Sequence, residues 1–416
     1  MTRIRYSTLL LKNAAFRRVW LGQLFAFLAG GVSVLLLPIY FLKSGQESLM
    51  GSYLAVLTIF KLILLPVAGI FADRINRANL LRCGFVVSGL GSLGLATLPS
   101  YRIELTLGMA ALAGGGFALA LPPLRAMIPD IVDTGGLELA QSLISATQGA
   151  LALAVPAAAG ALLTVVEPRT FILYEAVFFL IGAALIPFRR NKTVVPTRSD
   201  LSLQSLTKTV KYVATVRWVL AGMLQTMLQV VAGFAPGLIL IRIVSDARYG
   251  EPGLGLILSA TGLAALLGSL IAGKWNPKRK GLWANLGFVS YALVELCIAF
   301  DVPLSIFMLA ITVGGVGVSF HGVWWIAAIN RRFPQESRGQ INALDTVATG
   351  ALEPAGMAFA LPLAGLIGVT GVGILGGAVF LVIPLIALLT PGLSRYSDAT
   401  SRPSHRSIVV AVQPEV

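Results

Sequence analysis

From Gly69 to Arg82 the chain reads GIFADRINRANLLR. An apolar run closes at its start and another opens at its end. Asp73, Arg74, Arg77 and Arg82 must therefore sit in water while the neighbouring Leu, Ile and Val side chains sit in lipid. The stretch reads as a tight charged hinge between two membrane helices, at one face of the membrane.

The rest of the chain agrees. Of its 416 residues 56% are hydrophobic and 12% charged, and the mean hydropathy of +0.84 lies outside the range of a soluble domain. A hydrocarbon layer about 30 Å thick needs about 20 apolar residues per helical crossing, and helix is the default because the backbone must satisfy itself in lipid. Cutting the apolar runs at charged and Pro/Gly breaks predicts twelve spans, near 18–42, 51–72, 79–98, 103–124, 138–164, 170–188, 216–241, 253–273, 281–300, 303–329, 342–367 and 370–390. The weak alternation of a β-barrel is not visible. The fold class is an all-α membrane protein of twelve transmembrane helices.

The formal charge of +14 raises the question of a nucleic-acid partner, and the placement of the basic residues answers it. With the N-terminus inside, 26 of the 32 Lys and Arg residues fall on the cytoplasmic side and five fall outside, with Lys61 inside a span. That is the positive-inside bias of an even-numbered bundle with both termini cytoplasmic, so the basic excess is topology and no nucleic-acid role is expected. The first apolar run is too long for the core of a signal peptide and is read as the first helix. Cys83 and Cys297 fall near opposite faces, too far apart for a disulfide, and no metal or cofactor site is expected.

Residues 189–215, with Arg189, Arg190, Lys192, Pro196 and Arg198, form the longest interior polar stretch and divide the spans six and six. The predicted organisation is an N-terminal bundle at 1–188, a cytoplasmic linker at 189–215, a C-terminal bundle at 216–390 and a disordered cytoplasmic tail at 391–416. The halves echo one another. Pro38 and Pro236 lie 198 residues apart, and Gly149-Ala150-Leu151 returns 201 residues later as Gly350-Ala351-Leu352. A constant offset near half the length is a repeat, and parallel repeats of this kind typify transporters whose halves rock about a site near the midplane.

With Gly69, Asp73, Arg74, Arg77 and Arg82 between spans 2 and 3, the hinge resembles the signature loop of the major facilitator superfamily. The start of the chain (NAAFRRVWLGQLFAFLAGG), the loop after span 4 (PPLRAMIPDIV) and the region from Pro236 to Gly273 look most like its bacterial drug, macrolide and siderophore exporters. The resemblance implies a two-bundle multidrug-efflux or antiporter type of carrier in a bacterial inner membrane, with protons as coupling ion and a monomeric state. It also implies that Asp73 braces the inner end of helix 11, near Gly339 to Asn342, when the carrier is closed to the cytoplasm. Its Arg residues would hold that closed loop. The corresponding loop of the second half, GKWNPKRK from Gly273, has no Asp.

Charges inside the membrane are functional candidates by default because each costs at least about 2.5–3.5 kcal/mol to insert. Lys61 lies about 18 Å from the hinge at 1.5 Å per residue, and Glu353, followed by Pro354, lies about 16 Å from the same face. Sharing a depth, on helices that the family architecture sets side by side across the domain boundary, they are read as a pair that forms or breaks as the halves rock. Protonation of Glu353 would then couple transport to protons. The alternative is that each finds a partner within its own half or faces the central cavity without a part in coupling. Glu175 and Glu295, about 8 Å from the outer face, are read as snorkelling or locally hydrogen-bonded. His321 has the titration range for a proton relay, against a packing role beside Trp324 and Trp325. Gln148, Gln225, Gln229 and Asn330 would line a cavity or join helices.

Three motifs are set aside. Gly268 to Lys274 approaches a phosphate-binding loop, but Trp275 stands where a Ser or Thr would meet magnesium. The two G-x-G-x-x-G runs, at Gly89 to Gly94 and Gly371 to Gly376, lie inside apolar spans and serve helix packing, as does Gly114-Gly115-Gly116.

The expected activity is export of a small amphiphilic or organic solute by alternating access. A lipid-like solute, such as a lysophospholipid carried inward, is the alternative within transport. A non-transporting receptor or an integral-membrane enzyme is the alternative from another class, and no clustered catalytic His, Asp or Glu supports an enzyme.

Overall fold

The computed structural model describes residues 6–43, 47–98, 102–162, 166–187 and 203–397. A short helix α1 (Tyr6–Lys12) leads into α2 (Ala14–Lys43), α3 (Glu47–Arg74), α4 (Arg77–Thr97), α5 (Ile103–Ile131), α6 (Leu137–Leu162) and α7 (Pro168–Leu185). The second half begins with α8 (Leu203–Thr215) and continues through α9 (Arg217–Gln229), α10 (Ala235–Lys274), α11 (Lys280–Ala299), α12 (Leu304–Arg332), α13 (Arg338–Thr346) and α14 (Glu353–Ala387).

Eight stretches of the described residues are long and apolar enough to cross a membrane, among them Arg217–Gly250 and Pro252–Lys274, which share α10. The chain folds back at Gly250, whose φ of 68° suits glycine, and Pro252 then starts the next crossing. Gly368, with φ of 74°, folds the stretch Gln335–Ala387 into two crossings in the same way. Adding α2, α6 and α7 gives twelve among the described residues.

The first six crossings form one bundle, with α5 against α3 and α4, and α7 against α2 and α4. The last six form a second, with α12 against α10 and α11, and α14 against α10 and α11. Small residues let the helices approach. A Cβ on Gly84 would fall 2.7 Å from the Gly116 carbonyl oxygen, and one on Gly373 would fall 2.7 Å from the Ala299 nitrogen. Gly91, Gly116, Gly268 and Gly373 of the set-aside motifs each lie against a neighbouring helix in this way.

Four boundaries differ from the sequence reading. The seventh crossing continues to Gly250 rather than stopping at 241, because Arg248 is bonded to the Cys297, Ile298 and Phe300 carbonyls instead of ending the helix in water. The fourth crossing continues to Ile131 rather than stopping at 124, because Arg125 and Asp130 are paired to protein groups instead of ending the helix in water. The polar linker holds a helix, α8, whose Val213 is buried while Lys208 and Lys211 are exposed. The tail is ordered through Ser397, because Leu393 and Tyr396 are buried against the second bundle; residues 398–416 lie outside the described residues.

Candidate functional site

The hinge is a turn of two residues between α3 and α4, capped by Asn76, whose side-chain oxygen accepts from the Ala78 and Asn79 amides. This cap holds Asp73 at the end of one helix and Arg77 at the start of the next. The Asp73 carboxylate, 4% exposed, crosses to the second half. There Oδ1 accepts from the Gly339 amide at 2.5 Å and Oδ2 from the Gln340 amide at 2.9 Å. These are the orphan donors at the start of α13, where a carboxylate gains from both the free N–H groups and the helix dipole.

The approach needs glycine on both sides of the seam. A Cβ on Gly69 would lie 2.6 Å from the Ala343 Cβ, and one on Gly339 would lie 2.6 Å from Asp73 Oδ1.

Arg77 completes the junction. Its guanidinium donates to Asp130 Oδ2 at 2.7 Å, to the Gln335 carbonyl across the seam at 2.5 Å, and more weakly to Asp73 Oδ1 at 3.4 Å. Asp130 faces Arg338 of the second half at 3.7 Å. Arg74 ends α3 half-buried. Arg82 plays a different part, donating to the Ile186 carbonyl at 2.8 Å and to Asn79 at 3.2 Å, within the first half.

The second-half loop builds a clasp of inverted polarity. The acid is Glu138, near the start of α6. It pairs with Lys280, at the end of the GKWNPKRK loop, at 2.5 Å and with Arg331 at the end of α12. The loop without an Asp therefore contributes a base, and the halves are joined at both ends of the seam. Tyr6 adds a third tie, its hydroxyl meeting Ser142 at 2.7 Å and donating to the Leu270 carbonyl at 3.3 Å.

Beneath this layer, about 10 Å below the start of α13, Arg125 of α5 pairs with Asp345 at 2.9 Å. Asp345 is 1% exposed and also accepts from Trp325 Nε1 at 2.7 Å. Asp130, Glu138 and Asp345 were not singled out by the sequence. Asp345 carried a signal, since it lies inside the predicted span 342–367 and meets the same criterion that selects Glu353.

Deeper still, the Lys61 ammonium lies over the Phe117 ring, 5.2 Å from its centroid. Lys61 and Glu353 act on one another electrostatically, with no ion pair closed between them. Glu353 starts α14 one residue after a π-helical turn, Val347–Ala351, and a second such turn, Val230–Phe234, follows α9. Such turns place a local break in the helical ladder, here in the seventh and eleventh crossings.

The other polar candidates scatter. Gln148 is exposed on α6. Gln225 donates to Gln229 at 3.4 Å, both buried inside the second bundle. Asn330 accepts from Asn342 at 3.1 Å and donates to the Arg125 carbonyl at 3.4 Å, joining the halves. His321 Nδ1 meets the Tyr396 hydroxyl at 2.9 Å, and its ring stacks on Trp325, so it packs the tail onto the second bundle. Glu175 accepts from Ser92 at 2.8 Å, a local hydrogen bond. Both cysteines are free.

The family model of the Major Facilitator Superfamily matches residues 19–244. The chain belongs to the Major Facilitator Superfamily. Solved structures share its fold at low identity. The human organic anion transporter MFSD10 (TETRAN) superposes with a TM-score of 0.72 at 13% identity, covering 90% of this chain and 99% of that one. A bacterial homologue of the iron transporter ferroportin, in an outward-facing state, gives 0.72 at 16%, covering 90% and 98%. A variant of the E. coli fucose:proton symporter FucP gives 0.69 at 14%, covering 90% and 98%. Among curated proteins none matches significantly. The protein is a multi-pass membrane transporter of the secondary type, and not an enzyme.

Proposed function

We propose that this transporter exports a small amphiphilic or organic solute by alternating access, driven by protons, and that the Asp73 junction is its inner gate. The observation that carries the reading is the Asp73 carboxylate seated on the Gly339 and Gln340 amides across the seam. The hydrogen bonds and ion pairs of this junction can break and reform without unfolding either bundle. Gly69, Arg74 and Arg77 belong to this gate, and Arg82 steadies α4 behind it.

The positive-inside distribution supports a cytoplasmic hinge face and cytoplasmic termini, in a bacterial inner membrane. The carrier then stands closed to the cytoplasm. Lys61 and Glu353, at a common depth beneath the gate, are the charges we assign to the solute path. Gln148, exposed on α6, is a further contact; Gln225, Gln229 and His321 would join it only in another state of the cycle. The transporter is expected to work as a monomer.

A panel of organic cations, siderophores and lysophospholipids in proteoliposomes, with a pH gradient imposed in either direction, tests this. Accumulation that follows the sign of the gradient supports the reading. Transport indifferent to both gradients would remove proton coupling, and inward carriage of a lysophospholipid alone would replace the exported solute.

A further inference from the structure

Asp345 has two partners of different allegiance. Arg125 Nη1, 2.9 Å from Oδ2, belongs to the first half, and Trp325 Nε1, 2.7 Å from Oδ1, belongs to the second. Trp325 is fixed in place. Its ring packs edge-on to Trp218 at 5.7 Å and stacks on His321 at 5.2 Å, and a Cβ on Gly222 would collide with it. When the halves part at the hinge face, Arg125 leaves with α5 while Trp325 stays.

The two charges differ in what parting costs them. Arg125 has a 26% exposed side chain and can turn its guanidinium towards water. The Asp345 carboxylate, 1% exposed, would be left with one neutral donor. Removing one partner of a buried ion pair is strongly unfavourable because the other charge is uncompensated. A proton removes that charge, and the carboxyl group can still accept from Trp325.

No second ionised group takes over from Arg125. On α12, His321 lies behind the Trp325 ring with Nδ1 engaged by Tyr396. On α3, Lys61 acts on Arg125 and Glu353, and on α14 Glu353 acts on Lys61. Asp73 is engaged by the Gly339 and Gln340 amides. From α9 comes Trp218, and α8 turns Thr209 to Gln340 while Lys208 and Lys211 stay exposed. Among the described residues Arg125 is the ionised group that acts on Asp345.

We propose that Asp345 is the proton-binding residue of the transport cycle. Its carboxylate takes up one proton as the halves part at the hinge face and releases it on re-pairing with Arg125. This rests on the reading that the hinge face opens during transport, and it assigns the proton to Asp345 rather than to Glu353.

The test uses the full chain in proteoliposomes, spin-labelled at Thr134→Cys and Glu336→Cys in a Cys83→Ser background, so that opening and solute flux are read on one sample. Thr134 and Glu336 are exposed on opposite sides of the seam. Uptake of one proton on opening makes the open-to-closed ratio rise by up to about tenfold per unit fall in pH, followed between about pH 5 and pH 8. In Asp345→Asn the rise of the ratio on acidification is expected to be lost, and in Glu353→Gln it is expected to persist. Arg125→Gln, which removes the positive charge paired with Asp345 in the closed state, should also flatten the slope, and it decides the matter if Asp345→Asn does not fold. A slope retained in Asp345→Asn, or lost in Glu353→Gln alone, overturns the assignment. Solute flux with an opening indifferent to pH overturns it while leaving alternating access intact. A hinge face that stays closed at every pH while solute flows overturns both.

Discussion

Asp73 shows how much one side chain can decide. Its carboxylate meets two amides that have no partner within their own helix, so replacing it by Asn removes the charge from two charge-assisted hydrogen bonds. Bonds of this kind contribute about 1.5–3 kcal/mol each. Asp73→Asn is accordingly expected to raise the open-to-closed ratio at the hinge face by roughly ten- to a hundredfold, read from spin-label distances across the seam. The residue and its destination near Gly339 were legible because the hinge has a recognisable pattern. Its partners were not. Asp130 lies past the predicted end of span 4, Glu138 reads as an ordinary charge at a helix start, and Asp345 has nothing local to show that Arg125 faces it. What links them is tertiary proximity between residues such as Arg125 and Asp345, 220 positions apart in the chain.

At the scale of elements, hydropathy finds the crossings because lipid imposes their length, and it misses what happens at their ends and breaks. The folds at Gly250 and Gly368 fall at the predicted joins, whereas the π-helical turns at Val230–Phe234 and Val347–Ala351 leave no mark on an apolar profile. The amphipathic helix α8 was hidden for the opposite reason: its charges made it read as loop. It touches the gate directly, with the Thr209 hydroxyl donating to Gln340 Oε1 at 2.5 Å, next to the Gln340 amide that holds Asp73. Loss of this neutral hydrogen bond in Thr209→Val should cost the closed state about 0.5–1.5 kcal/mol. Faster hydrogen exchange at the start of α13 would show it, and unchanged exchange there would separate α8 from the gate.

Across the whole molecule, the hinge face is held by layers that differ in their access to water. Arg77 and Asp73 have side chains only 7% and 4% exposed, whereas the Glu138 clasp includes Arg331 at 36%. Salt screens exposed charges and reaches buried ones far less. Raising the salt concentration should therefore loosen the closed state by no more than about 1 kcal/mol, mainly through Glu138. Glu138→Gln should remove most of that salt response, while Asp73→Asn should leave it in place.

The central claim is that the two bundles separate at the hinge face each time solute is carried. The distance between labels at Thr134 and Glu336, followed in sealed vesicles during transport, tests it most directly. The account predicts a short distance at rest, a second, longer population during turnover, and enrichment of that population in Asp73→Asn. Solute crossing at the full rate with the short distance unchanged would contradict it.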